Sequence, residues 1–340
     1  MYSPRRRSRN RQVPPARYGL RPTRLRLRDT ENPKLNGCLR DWILSQYPRM
    51  DESTLDHLFA VGDIVDSQAV AIPPHAPATT IRSGVWMYRP IEDEPDEPMI
   101  VPIVERTSRW IIADKPHGLS TMPRGQYIAR TATVALRRQE NNDDIVTAHR
   151  LDRSTAGLLL ATLRPDMRRV YQELFARRLV TKRYRFVAPV PSRQPSNPLV
   201  RVEKDGSWLH VSARIEKQSG TLRAVLKPGE PNSLTLLRDA GPHRVMRGHE
   251  VTTYDVELIT GRTHQIRIHA AGLGTPIIGD SLFGGEFAPV HGDRVTENLS
   301  ELQLLAYGLE FTDPVSGDFI TARSKQTLEW DAPLPPPEEA

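Results

Sequence analysis

The chain has 340 residues, with 47 Lys and Arg against 41 Asp and Glu and a net charge of +6, and is long enough to bury a large core with a smaller module attached. Its single cysteine, Cys38, excludes an internal disulfide, and its longest apolar stretches, such as that within AGLLLATL, fall far short of the roughly 20 residues that span a bilayer. These features fit a reducing setting, expected to be the cytoplasm, with no membrane contact, and the positive charge favours a polyanionic partner.

That charge is uneven. Ten arginines (Arg5, Arg6, Arg7, Arg9, Arg11, Arg17, Arg21, Arg24, Arg26 and Arg28) precede the first acid, Asp29. Pro4, Pro14, Pro15 and Pro22 interrupt any helix there, so residues 1–36 are expected to form a basic disordered tail. A solubilising tail and a mitochondrial presequence share this composition; the charge patterning favours a tail that attracts RNA.

Residues 37–89 read as a small module. CLRDWILSQYP sets Leu39, Trp42 and Ile43 at helical spacing, STLDHLFAVG does the same with Leu55, Leu58 and Phe59, and DIVDSQAVAI is strand-like. PIEDEPDEP at 90–98 combines proline with acids as an extended linker, and 332–340 reads as a second disordered tail. Residues 99–331 read as an α+β domain with a mixed, mainly antiparallel sheet. Its strand candidates are RWIIAD, GLLLATL, RYRFVAPV, SWLHVSARI and TTYDVELIT. Its clearest helix is DMRRVYQELFARR, in which Met167, Val170, Tyr171, Leu174 and Phe175 line one face as core.

Two stretches carry candidate chemistry. TAHRLDRSTAGLLLAT, residues 147–162, holds Asp152 between Arg150 and Arg153 on a loop leading into an apolar strand. From the residues alone, an arbitrary aspartate so flanked is more often a structural ion pair. GRTHQIRIHAAGLGTPIIGDSLFG, residues 261–284, reads as a short helix with Thr263 as N-cap, Ile266, His269, Ala270 and Leu273 on one face, Gly274 at its end and Pro276 beyond. His264 and His269 are five residues apart and off one helical face, so no metal site is expected.

HRLDRSTAGLLLA closely resembles the signature of the RluA family of pseudouridine synthases, and the QIR triplet of the second stretch resembles that family's second signature. TKRYRFVAP resembles its Lys-x-Tyr strand and IIADKPHGLSTMP its opening element, with Lys115, Pro116 and Gly118. LLAYGLEFTDPVSGD resembles its closing element, although Leu305 stands where a histidine is usual, a departure expected to affect packing more than chemistry. These matches run in family order over about residues 101–325. Residues 37–89 resemble the alpha-L RNA-binding module that often precedes this catalytic domain, but Asp51, Glu52, Asp56 and His57 occupy the region where basic residues are usual.

The resemblance implies an RNA pseudouridine synthase that isomerises uridines in structured RNA, in large-subunit rRNA more than in tRNA. Asp152 matches the catalytic aspartate, Arg267 the arginine that pairs with it, Tyr184 the active-site tyrosine and Arg150 the arginine that fills the space of the flipped nucleotide. Arg150, Arg153, Lys115, Lys182 and His264 are the expected RNA contacts. The reaction exchanges no net atoms or electrons, so no cofactor and no metal are expected, and the chain is expected to act as a monomer. One alternative is a non-catalytic RNA-binding protein on the same scaffold, which loss of Asp152 or Tyr184 would have suggested. Another is a hydrolase using Asp152 with His149 or His264, for which no Ser or Cys nucleophile motif is present.

Overall fold

A computed structural model describes residues 13–26, 36–48, 50–91, 99–123, 128–190, 195–218, 221, 223–246, 248–288 and 301–329. Most of the 90–98 linker, the 332–340 tail and residues 1–12 and 27–35 lie outside these. The chain divides into two compact units. One holds the residues up to Pro98 with Pro123–Arg130 and Arg137–Asp143, and the other holds the rest.

The first unit contains β1 (Thr23–Leu25), α1 (Leu39–Gln46), α2 (Glu52–Ala60), β2 (Ile64–Val65) and β3 (Val85–Met87). Its strands form an antiparallel sheet in the order β1-β3-β2. Leu39, Trp42 and Ile43 of α1 pack with Leu55 and Leu58 of α2, Ile64 and Val85, as the helical spacing requires. Asp51 caps α2 by accepting the Thr54 N–H at 3.1 Å.

The expected disordered tail is corrected over residues 13–26. Leu25 is buried in this unit's core, Arg17 pairs with Asp63 at 2.6 Å, and Tyr88 donates to the Pro15 carbonyl. The physical reason is local. Leu25 supplies an apolar anchor, and the paired strand satisfies backbone groups that proline-rich chain otherwise leaves to water.

The second unit is built on a sheet of thirteen strands among the described residues. Its strands β4 to β8 are Ile103–Arg106, Trp110–Lys115, Val146–Thr147, Ala156–Thr162 and Val180–Pro189. Strands β9 to β13 are Arg201–Asp205, Trp208–Glu216, Val225–Lys227, Ser233–Asp239 and Arg244–Met246; β14 is His249–Leu258, β15 Leu304–Thr312 and β16 Phe319–Arg323. The helices are α3 (Ala132–Gln139), α4 (Arg168–Ala176) and α5 (Gln265–Leu273). The central path runs β11-β10-β12-β14-β8-β15-β7-β5-β4, antiparallel except where β15 and β7 run parallel.

The apolar run of β7 follows from burial on both faces. Leu159 and Ala161 join the core that includes Phe186, Tyr254, Ile266, Ala270 and Leu273, whereas Leu158 and Leu160 join Tyr171 and Leu174 of α4 on the opposite side. Gly157 has φ +112, and a Cβ there would lie 2.2 Å from the Ala306 carbonyl oxygen. Only glycine lets β7 approach β15 this closely. Leu305, at the same crossing, is buried with Ala156, Val187 and Ile278, an apolar role that suits its departure from histidine.

Candidate active site

The loop that carries Asp152 is held from beneath. Thr121 Oγ1 donates to the Leu151 carbonyl at 2.7 Å and accepts the Leu151 N–H at 3.1 Å. Lys115 Nζ, fully buried, donates to the carbonyls of Pro116, Leu119 and Arg153 at 3.0, 2.8 and 3.2 Å. Three carbonyl acceptors require the ammonium form. Burial nonetheless pushes its pKa down to about 7, opposed by the nearby charge of Asp152. The loop is therefore fixed before any ligand arrives.

Helix α5 brings the opposing charge. Its N-cap is His264, in left-handed backbone at φ 57, not Thr263 as the sequence suggested, and no side-chain oxygen caps the helix. The turn is instead pinned by Gln265, whose Oε1 accepts the Arg262 N–H and the Thr260 hydroxyl while its Nε2 donates to Leu234 O and Thr235 Oγ1. The glutamine thus ties the turn before the helix to the neighbouring strand, a different role from capping the first-turn N–H groups. Gly274 ends α5 at φ 84.

From that frame Arg267 reaches Asp152, with Nη1 3.5 Å from Oδ2. Its closer partner is Asp280, which it meets in two parallel bonds of 2.8 and 2.6 Å. Asp280 is fully buried and also accepts the N–H groups of Leu282 and Phe283. Burial alone would lower the proton affinity of Arg267, yet the bonds to Asp280 and the charge of Asp152 raise it, so the guanidinium stays charged. Its face also lies over the Phe283 ring at 5.5 Å.

Asp152, Tyr184, Arg267, Arg150, Lys182, His149 and His264 line one cavity of about 510 Å³. The phenol of Tyr184 is raised above its ordinary pKa by burial and then by Asp152, so it holds its proton. His264 Nε2 lies 3.9 Å from Asp152, and burial lowers its proton affinity against the pull of that carboxylate. His149 Nε2 accepts the Leu160 N–H at 3.1 Å and its ring stacks on Phe175, while burial, aided by Lys182, holds its pKa down to about 3. His149 is thus a neutral structural acceptor.

Two expected RNA contacts are not in the cavity lining. Lys115 is corrected outright, because its ammonium is enclosed and used on three carbonyls. Arg153 is exposed, and its carbonyl takes part in the loop's support. The buried His269 bonds Ser233 and Thr235.

A sequence model for the RNA pseudouridylate synthase family matches residues 109–272, which include both the Asp152 loop and Arg267. An uncharacterized RNA pseudouridine synthase of Zymomonas mobilis is 32% identical over 193 residues, covering 55% of this chain and 72% of that protein. The chain belongs to the RluA family of RNA pseudouridine synthases. The dual-specificity RNA pseudouridine synthase RluA of Vibrio parahaemolyticus is 29% identical over 201 residues, 59% of this chain and 76% of the relative. Ribosomal large subunit pseudouridine synthase D of Neisseria meningitidis is 30% identical over 256 residues, 70% and 59%.

Within this RluA-family domain, sequence reading missed Asp280, Thr121, Arg178 and Arg262. Asp280 had a signal, since it is the one acid in the apolar run TPIIGDSLFG. Thr121 and Arg262 lie within the stretches IIADKPHGLSTMP and GRTHQIRIHAAGLGTPIIGDSLFG, whereas Arg178 had no signal beyond its type. No helix among the described residues is long and apolar enough to cross a membrane.

Proposed function

We propose that the synthase uses Asp152 as its catalytic carboxylate on a uridine flipped into the cavity, with Arg267 as counter-charge and Tyr184 as the stacking surface. One observation supports this most: the three side chains converge on a single cavity, with Arg267 within 3.5 Å of Asp152. The reaction breaks the bond from C1′ to N1, turns the uracil and forms a bond from C1′ to C5; the C5 proton leaves and N1 gains one. No atom or electron is exchanged overall, so the protein's own residues suffice. Flipping costs a few kcal/mol, which stacking and hydrogen bonds in the pocket offset.

Asp152 acts ionised, as nucleophile or as support for a cationic sugar. Tyr184 holds its proton, which suits it to stacking and to donating a hydrogen bond more than to acting as a base. Arg150 is exposed at the rim, where it can occupy the space the nucleotide leaves. Lys182 and His264 contact the RNA inside the cavity. Arg153 contributes from outside it.

The favoured substrate is large-subunit rRNA over tRNA, a reading supported by the alpha-L resemblance of residues 37–89 and by the similarity to the Neisseria large-subunit enzyme. The enzyme is read as a cytoplasmic monomer. Asp152→Asn keeps the side chain's size and removes its charge, so release of tritium from RNA made with 5-tritiated uridine should fall at least a thousandfold while RNA affinity holds. Activity near that of the parent would overturn the assignment. Mapping pseudouridine in RNA from cells lacking the protein then identifies the target, and a missing site in tRNA alone would overturn the rRNA reading.

A further inference from the structure

Beside the main cavity lies a second one of about 370 Å³, and the two share Arg178, Thr260 and Arg262. The shared residues come from two elements. Arg178 follows α4 in left-handed backbone at φ 58, a conformation that breaks the helix there. Arg262 sits on the turn before α5 that Gln265 pins.

Both guanidiniums are exposed, and neither meets a carboxylate among the described residues. Arg262 donates through Nε to the Asn232 carbonyl at 3.1 Å, which fixes the stem and leaves its two terminal nitrogens for something else. Lys182 adds a third cation. Its ammonium lies against the same turn, 3.8 Å from where a Cβ on Gly261 would stand, and the charge of Arg178 acts on it.

Gathering three cations without an acid between them is unfavourable unless an anion completes the arrangement. Several arginines elsewhere in this unit are matched: Arg185 with Asp255, Arg183 with Glu310, Arg109 with Asp313 and Arg267 with Asp280. Arg178 and Arg262 are set apart by lining both cavities while meeting no carboxylate among the described residues, which suits them to a ligand. Two forked guanidiniums on a ridge between two hollows suit a phosphate diester, with a nucleotide on each side.

We propose that Arg178 and Arg262 clamp the RNA backbone phosphate next to the flipped uridine, on the ridge between the two cavities. This rests on the reading of the main cavity as the uridine pocket. The clamp positions the strand and reads no base, so it sets affinity and salt dependence and leaves the chemical step to the pocket.

The test is equilibrium binding of fluorescein-labelled nonauridylate to the full chain over a series of KCl concentrations, which needs no turnover. The double variant Arg178→Ala/Arg262→Ala should flatten the plot of log affinity against log salt by about 0.7, the value for one phosphate contact on a single strand. Each single variant should lose most of that, because both grip one phosphate, and Arg178→Lys/Arg262→Lys should recover part of it. Arg169→Ala is the control. Arg169 is exposed on α4, pairs with Glu173 and lines neither cavity.

A double variant with the parent's melting temperature and slope overturns the clamp, as does an equal loss in the Arg169 control. Failure of the catalytic reading looks different: tritium release would persist in Asp152→Asn, while the slope change in the arginine variants would stand.

Discussion

Arg267 holds two carboxylates at once, Asp280 at 2.6 and 2.8 Å and Asp152 at 3.5 Å. Removing it therefore does two things. Arg267→Met deprives Asp152 of its counter-charge, and it leaves Asp280 charged, fully buried and supported, among the described residues, by two N–H groups. Breaking a buried pair by deleting one member costs about 3–5 kcal/mol. The two effects can be separated. Arg267→Met/Asp280→Asn removes the stranded charge, and an asparagine oxygen can still accept from Leu282 and Phe283. Stability by urea denaturation should recover by about 2 kcal/mol relative to Arg267→Met alone, a coupling typical of residues in contact. Tritium release should stay as low as in the single variant. Recovery of activity together with stability would mean that Arg267 acts on the fold and has no role beside Asp152.

At the level of elements, α5 is tied to β12 through a buried polar chain. His269 bonds Ser233 Oγ at 2.9 Å and Thr235 Oγ1 at 2.9 Å, and Gln265 joins the same threonine. Burial lowers the pKa of His269 from 6.5 to about 4. The folded state thus prefers neutral imidazole. Its contribution to stability is complete above pH 6.5 and is lost as pH falls from there toward 4, amounting to about 2 kcal/mol by pH 5. His149, at about 3, acts in the same direction, whereas exposed His243 between Glu250 and Asp239 is raised and acts weakly in the other. Urea midpoints measured at pH 7 and pH 5 should drop with acid in the parent and drop less in His269→Gln. An equal drop in both would remove His269 as the cause. Much of this scale was legible beforehand. The spacing of Leu39, Trp42 and Ile43 and the β7 run gave elements, because local period and burial agree there. The start of α5 was not, because the turn is held by Gln265 through partners 30 and 31 residues away on another strand.

For the whole molecule, the site was readable where chemistry is carried by a contiguous motif and hidden where it depends on sheet order. HRLD and QIR named Asp152 and Arg267, yet only the sheet brings the loop before β7 and the α5 turn to one cavity with α4's end. Lys115 illustrates the converse: a lysine in a basic protein reads as a phosphate contact until its burial is known. The tail shows the same limit. Residues 13–26 are folded, so the prediction moves to residues 1–12, which hold Arg5, Arg6, Arg7, Arg9 and Arg11 and no acid. Deleting that stretch spares Leu25 and the Arg17–Asp63 pair, so the first unit's stability should hold. Arginines there that meet phosphates add affinity without base recognition. The truncated enzyme should therefore bind RNA more weakly, with a salt slope flatter by about 0.7 for each phosphate that the tail no longer neutralises, and modify the same uridine as the parent. Binding titrations at several salt concentrations and mapping of the modified position check both halves. An unchanged slope would assign residues 1–12 to another task, such as targeting, and a changed target would show that they take part in choosing the uridine.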